Sequence, residues 1–273
     1  MEQLIQEIIK NIVLRGDSMK IKTDNYEIYK GDCLELMKDI PDKSVDMILC
    51  DLPYGTTQNK WDSAIPFEPL WKQYERVIKD NGAIVLFAQT PFDKVLGASN
   101  LKLLKYEWIW QKNRGTGHLN AKKMPLKNHE NILVFYKKLP TYNPQMREGD
   151  PYIRKNCGKS VLNKGNYGRM RESSTTICEG GRYPLDCLTF KVVERTVHPT
   201  QKPVELLEYL IKTYTNEGEL VLDNCMGSGS TIVAALNTGR KAIGIELDDN
   251  YFEIAEKRIK ESIDKKRRIT KIV

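Results

Sequence analysis

The sequence predicts an α/β fold, a mostly parallel sheet with helices on both faces, and three observations carry that reading. Between residues 26 and 135, short apolar, β-branched or aromatic runs alternate with helical periodicity. Between Val221 and Glu246, a strand, a glycine turn, a helix and a second strand follow one another. Periodicity fades between these stretches, from about residue 139 to 197, so the later stretch reads as the missing part of one sheet split by an insertion. At 273 residues the chain can bury one sizeable core.

In chain order, residues 1–18 are an N-terminal extension. Leu4, Ile5, Ile8, Ile9, Ile12 and Val13 share one helical face there, which suits a helix docked on the surface, with self-association as the alternative. Residues 19–138 form the first half of the domain: strand 26–29, helix 33–39, the buried apolar strand 45–50 closing at Asp51, helix 67–79, strand 83–87, helix 92–104, and β-rich runs 106–110 and 131–136. Residues 139–197 are the insertion, where Gly, Tyr, Arg, Ser and Thr accumulate. Residues 198–262 supply a proline-bounded turn at 198–203, helix 204–214, the strand closing at Asp223, the helical run 232–236 and strand 242–245 ending at Glu246. Residues 263–273, with the basic run Lys265 to Arg268, read as a solvated tail.

The net charge of +7 and pI near 8.9 suit a polyanionic partner, and the placement of charge says more than its total. From residue 112 to 138 the chain carries Lys112, Arg114, Lys122, Lys123, Lys127, Lys137 and Lys138 against only Glu130, which looks like a phosphate-facing surface. The segment 163–171 adds Lys164, Arg169 and Arg171 among glycines and a tyrosine, suited to base-edge and phosphate contacts as well as to an ordinary solvated loop. Six cysteines form no Cys-x-x-Cys pair, and no histidine stands at ligand spacing, so no metal is expected. Cys33 and Cys50 read as buried reduced thiols. With no membrane-length apolar run and no signal peptide, the expectation is a soluble, cytoplasmic protein.

Two constellations carry the chemistry. In Asp51-Leu52-Pro53-Tyr54-Gly55, an acid at the carboxyl end of a buried strand, a stiff turn and a tyrosine set an acceptor and an aromatic face at the sheet edge. That arrangement suits holding a planar ring by its amino group, and it is also common turn chemistry. In Gly227-Ser228-Gly229-Ser230-Thr231, the glycines let backbone approach a ligand and the helix start offers free N–H groups, while Glu246 can accept ribose hydroxyls. A dinucleotide fingerprint wants a third small residue where Ile232 stands, and a nucleoside triphosphate loop wants a Gly-Lys-Ser or Gly-Lys-Thr that is absent. Both readings weaken, and S-adenosylmethionine, which has no phosphate, fits better.

The order Gly31-Asp32-Cys33, Asp51-Leu52-Pro53-Tyr54, a basic middle, His198-Pro199-Thr200-Gln201-Lys202-Pro203, then Asp223 to Thr231 with Glu246, resembles the beta group of DNA amino-methyltransferases over most of residues 20–262. The resemblance implies a Rossmann-like methyltransferase fold with a seven-stranded sheet, a circularly permuted motif order and an inserted target-recognition region. It implies catalysis by Asp51, Leu52, Pro53 and Tyr54, and S-adenosylmethionine held by Asp32, Thr200, Lys202, Asp223, Gly227, Gly229, Ser230, Thr231 and Glu246. Duplex DNA is the implied partner, met by Arg114, His118, Lys122, Lys123, Lys127, His129, Lys164, Arg169 and Arg171. A cognate restriction endonuclease is compatible with it, as is either a monomer or a homodimer. One departure is Leu52, where the family usually has a first proline; the feature used there is the main-chain carbonyl, which leucine also supplies.

An exocyclic amine is a poor nucleophile because its lone pair is delocalised into the ring. Acceptors at Asp51 and Leu52 would draw it toward tetrahedral geometry and stabilise developing positive charge, with the base flipped out and Tyr54 stacked on it. Cytosine-N4 members often lead with serine and adenine-N6 members with aspartate, so Asp51 points to adenine-N6. Cytosine-N4 methylation is the near alternative, and an RNA or protein amide methyltransferase a more distant one. A DNA-binding module with a vestigial pocket is argued against by intact acids at 51, 223 and 246.

Overall fold

The structure, a computed structural model, describes residues 20–55, 64–156, 174–194, 196 and 201–270. The N-terminal extension, Thr200 and the segment with Lys164, Arg169 and Arg171 lie outside the described residues.

Two antiparallel strands, β1 (Lys20–Lys22) and β2 (Tyr26–Lys30), lead into a short helix, α1 (Cys33–Leu36), with a 3-10 turn behind it (Met37–Asp39). Then come β3 (Val45–Asp51), α2 (Phe67–Val77), β4 (Ile78–Ala88) and α3 (Phe92–Ser99). A long antiparallel hairpin comes next, β5 (Leu104–Thr116) and β6 (Lys127–Phe135). Two of these helices stop short of their expected ends. α2 passes straight into β4 at Ile78, and Asn100 leaves helical geometry with φ −149° and ψ 64°.

Residues 144–185 make a compact unit of their own. In it β7 (Arg147–Glu148) and β10 (Gly181–Arg182) pair, as do β8 (Tyr152–Asn156) and β9 (Ser174–Cys178), both antiparallel. Within this unit the Arg182 guanidinium lies 4.7 Å from the Tyr152 ring and donates to the Asp150 carbonyl. The unit is narrower than the stretch 139–197. Asn143 is tied at 3.1 Å to the carbonyls of Lys212 and Thr215 in the larger unit, and β11 (Cys187–Phe190) pairs in parallel with β5.

α4 (Val204–Tyr214), β12 (Leu220–Asp223), α5 (Ser230–Asn237), β13 (Lys241–Glu246) and α6 (Asp249–Thr270) finish the chain. The sheet runs β1-β2-β13-β12-β3-β4-β6-β5-β11. β12 and β13 fill the gap between β2 and β3, which makes the two sequence halves one sheet. All seven expected strands are present, and β1 and β11 extend the edges to nine. Pairing is parallel except at β1–β2 and on both sides of β6.

Strand β3 shows why the sheet needs two helical layers. Met47 and Leu49 join an apolar cluster with Leu206, Leu210, Ile232, Phe252 and Ile259, whereas Ile48 and Cys50 join another with Met37, Leu70, Tyr74 and Leu96. Helices α4, α5 and α6 cover the first face and α1, α2 and α3 the second. The expected C-terminal tail is helical instead. Ile259 is fully buried and Ile263 packs on the core, so α6 continues, with Lys265 to Arg268 exposed in its closing turns, where cations oppose the helix dipole favourably. No helix among the described residues is long and apolar enough to cross a membrane.

Candidate active site

A cavity of about 520 Å³ opens at the carboxyl ends of β3, β12 and β13. The chain leaves β3 toward β4 and β12 toward β13, in opposite directions along the sheet, and the crevice between two such departures is where open α/β sheets hold ligands. The volume falls in the range of small-molecule sites, roughly 300–1,000 Å³.

On one wall the glycine loop joins β12 to α5. Gly227 and Gly229 have φ of 51° and 76°, left-handed conformations that other residues adopt at a cost, and a Cβ on Gly229 would stand 3.1 Å from that of Ala255. Glu246, at the end of β13, accepts from the Gly227 N–H at 2.8 Å and the Asp248 N–H at 2.9 Å. Burial pushes its carboxyl above the usual range, partly offset by those two donors. Asp223 accepts from the Cys225 N–H at 3.1 Å, and burial pushes its pKa up to about 6 against hydrogen bonds from Thr231, Cys225 and Cys50. Ser230 and Thr231 are buried at the start of α5. Asp32 lines the cavity too, but its carboxylate caps α1, accepting from Leu34 at 2.8 Å and Glu35 at 3.2 Å.

Sequence reasoning does not single out Arg258, from α6. It donates to Ser228 Oγ at 2.6 Å, to Ser230 Oγ at 3.2 Å and to the Ser228 carbonyl, pinning the loop from behind. Its helical position is legible in the sequence; its reach to the loop is not.

The facing wall is built on β3. Asp51 Oδ1 accepts from Tyr54 Oη at 2.8 Å, and Asp51 Oδ2 pairs with Lys202, just before α4. The Tyr54 ring stacks on Phe92 with centroids 4.8 Å apart, so one of its faces is covered by the protein itself. Lys202 also lies 3.3 Å from Glu130, and Glu130 is paired with Lys112 and accepts from Gln89 at 2.8 Å. Four alternating charges, Asp51, Lys202, Glu130 and Lys112, thus run in a line, with Lys202 and Glu130 buried and the end members half-buried. Burial opposes charge on Lys202, but Asp51 and Glu130 outweigh it and hold the ammonium above the usual lysine range. Burial likewise opposes charge on Glu130, but Lys202 and Lys112 hold that carboxyl below the usual range. Asp51 is raised, chiefly by burial, against the pull of Lys202.

Lys112 is therefore not a phosphate-facing residue. The alternation that buries Trp108 and Trp110 on one face puts Lys112 on that face, and the alternation of Ile132 and Val134 does the same for Glu130. Lys137 and Lys138 also turn away, to Glu75 and Asp80. Arg114, His118, Lys122, Lys123, Lys127 and His129 remain exposed on the β5–β6 hairpin. β5 runs parallel to β3 by way of β4 and β6, so the hairpin tip projects beyond the same sheet edge that carries the cavity. Lys127 is tethered, donating to the Thr90 carbonyl at 3.0 Å.

The residues around the cavity fit a cationic nucleoside. Asp32, Asp51, Asp223, Glu246, Asp248 and Asp249 line it, with Lys202 as the one lining cation among the described residues. That balance disfavours phosphate and favours a ligand bearing a sulfonium, an ammonium and hydroxyls. Fold and cavity thus define a doubly wound α/β protein with an acidic site suited to a nucleoside at its switch point. The chain belongs to the DNA methylase family of N6 and N4 amino-methyltransferases, whose profile matches residues 45–257. It is similar to the type II methyltransferase M1.MboII of Moraxella bovis, 30% identical over 245 residues, 82% of this chain and 93% of that one. The solved M1.HpyAVI–SAM complex is similar with TM-score 0.59 and 27% identity, over 85% of this chain and 99% of that one. The PvuII cytosine-N4-specific DNA methyltransferase shares the fold, with TM-score 0.62 at 16% identity, over 89% and 93%.

Proposed function

We propose that this chain transfers the methyl group of S-adenosylmethionine to the N6 amine of a flipped adenine in duplex DNA. Family membership supports the coarser part, a DNA amino-methyltransferase; the choice of adenine rests on Asp51 leading the β3 turn, where the resemblance puts serine in many cytosine-N4 enzymes. The observation that carries the mechanism is the position of Asp51, half-buried at the end of β3 and lining the same cavity as Asp223 and Glu246.

When bound, S-adenosylmethionine supplies an electrophilic sulfonium methyl. Glu246 holds the ribose hydroxyls with lone pairs left over from its two main-chain donors, and the acids of the β12 wall offset the ligand's positive charge. Asp51 and the Leu52 carbonyl accept the amine protons, localise the nitrogen lone pair and stabilise the positive charge that moves onto nitrogen. The methylated nitrogen would give up one proton, and Asp51 is the acceptor in place. Pro53 stiffens the turn. Tyr54 offers the base a ring backed by Phe92. The β5–β6 hairpin meets the phosphates through Arg114, His118, Lys122, Lys123, Lys127 and His129, and the insertion, including Lys164, Arg169 and Arg171, selects the site. Lys202 serves the methionine end, and the family resemblance assigns Thr200 to the same role.

The test is methyl transfer from labelled S-adenosylmethionine to duplex DNA, RNA and protein, followed by digestion and separation of the modified nucleosides. N6-methyladenine is the expected product. N4-methylcytosine would assign the chain to the other branch of its family, and label in RNA or protein with none in DNA would overturn the reading.

A further inference from the structure

The mechanism leaves Glu130 without a part, yet it is the second carboxylate on the buried lysine of the site. Lys202 Nζ pairs with Asp51 Oδ2 on one side and lies 3.3 Å from Glu130 Oε2 on the other. Glu130 Oε1 is taken by Lys112 and Gln89. Glu130 Oε2 is buried and accepts no well-formed hydrogen bond; the Lys202 ammonium, 3.3 Å away, stands in ion-pair range of it while its short hydrogen bond goes to Asp51. A buried acceptor left open is costly, so a small rotation that points Lys202 at Glu130 has a gain waiting for it. Asp51, meanwhile, has Oδ1 engaged by Tyr54 and Oδ2 by Lys202, the oxygens that an incoming amine would need.

We propose that Lys202 is handed from Asp51 to Glu130 when the target amine enters, so that Glu130 is a positioning residue that frees Asp51 Oδ2 for the amine. The ammonium keeps all its protons; only its partner changes. Lys112, paired with Glu130 Oε1, need not move in the exchange. The inference rests on the amine-methylation reading.

Glu130→Gln keeps the shape and removes the charge. On DNA that the wild-type chain methylates, it should lower kcat about thirtyfold or more and leave KM for S-adenosylmethionine within about threefold. Adding Lys202→Met to it should recover part of that kcat, because no cation then sits on Asp51. Glu130→Asp, which keeps the charge, should fall between wild type and Glu130→Gln, and it serves as well if the glutamine variant does not fold. Wild-type kcat in Glu130→Gln, or a double variant that merely multiplies the two single losses, would overturn the handover. Absence of any transfer by the wild-type chain would instead overturn the amine-methylation reading, and this inference with it.

Discussion

The two walls of the cavity hold their negative charge differently. On the β12–β13 side, Glu246 is fixed by the main-chain N–H groups of Gly227 and Asp248, and Asp223 by the Cys225 N–H together with the Thr231 and Cys50 side chains. On the β3 side, Asp51 and Glu130 are fixed by side chains: Tyr54, Lys202, Lys112 and Gln89. A main-chain donor cannot leave without unfolding its loop, whereas a lysine needs only a rotation. On the proposed assignment of the walls, the cofactor side is the more rigid and the side that meets the target amine the more adjustable. This division suits an enzyme in which one ligand recurs unchanged and the other must be pulled from a duplex.

The sharpest way to break the comparison is Asp51→Ala. It should cut single-turnover methyl transfer roughly a hundredfold or more while calorimetry finds S-adenosylmethionine affinity nearly intact, because the lost acceptor faces charge that develops only in the transition state. A comparable loss in cofactor affinity would mean that the walls do not act separately.

Asp223 tests whether the fixed wall stores an electrostatic cost. Its pKa is raised to about 6 by burial, so the folded chain binds the proton more tightly than the unfolded chain does. The cost is absent below the unfolded value of about 3.9 and complete above about 6. Asp223→Asn, without cofactor, should thus gain stability over wild type as pH rises through that window, by on the order of 2 kcal/mol at pH 8. Chemical unfolding at pH 4 and pH 8 reads this directly, and equal differences at the two pH values would contradict it.

Glu246→Ala should weaken S-adenosylmethionine binding about tenfold or more, as expected for a charge-assisted hydrogen bond of roughly 1.5–3 kcal/mol. It should also lower the melting temperature, since the Gly227 and Asp248 N–H groups lose their acceptor. Unchanged affinity in a folded variant would remove Glu246 from the cofactor site.

The smallest effect belongs to the hairpin beyond both walls. Replacing Lys122 and Lys123 with Ala should weaken specific and nonspecific duplex binding alike and reduce the slope of log affinity against log salt by about one unit per lost contact. A titration across salt concentrations measures it, and an unaltered slope would leave the pair as ordinary solvated surface.

The strands at 45–51, 83–87, 221–223 and 242–246 were legible because burial on both faces leaves continuous apolar runs. The acids that end three of them, Asp51, Asp223 and Glu246, stood out because a carboxylate closing such a run is conspicuous. Edge strands were harder: β11 is four residues in a polar stretch, and only its pairing with β5 makes it part of the sheet. Of the cations between 112 and 138, Lys112, Lys137 and Lys138 pair with acids of the fold, and spacing of two from Trp110 and from Ile132 already placed Lys112 and Glu130 on one inward face.

By itself, then, the sequence determined the fold class, the split of one sheet into two chain segments and the acids at its carboxyl edge, since each depends on local periodicity and on the residue types that close a strand. Tertiary structure decided what those acids touch. Asp51 and Lys202 are 151 positions apart, Ser228 and Arg258 are 30, and Tyr74 and Asn224 are 150. Such partners are chosen by strand order and helix packing, which bring together side chains whose separation along the chain carries no trace of the contact.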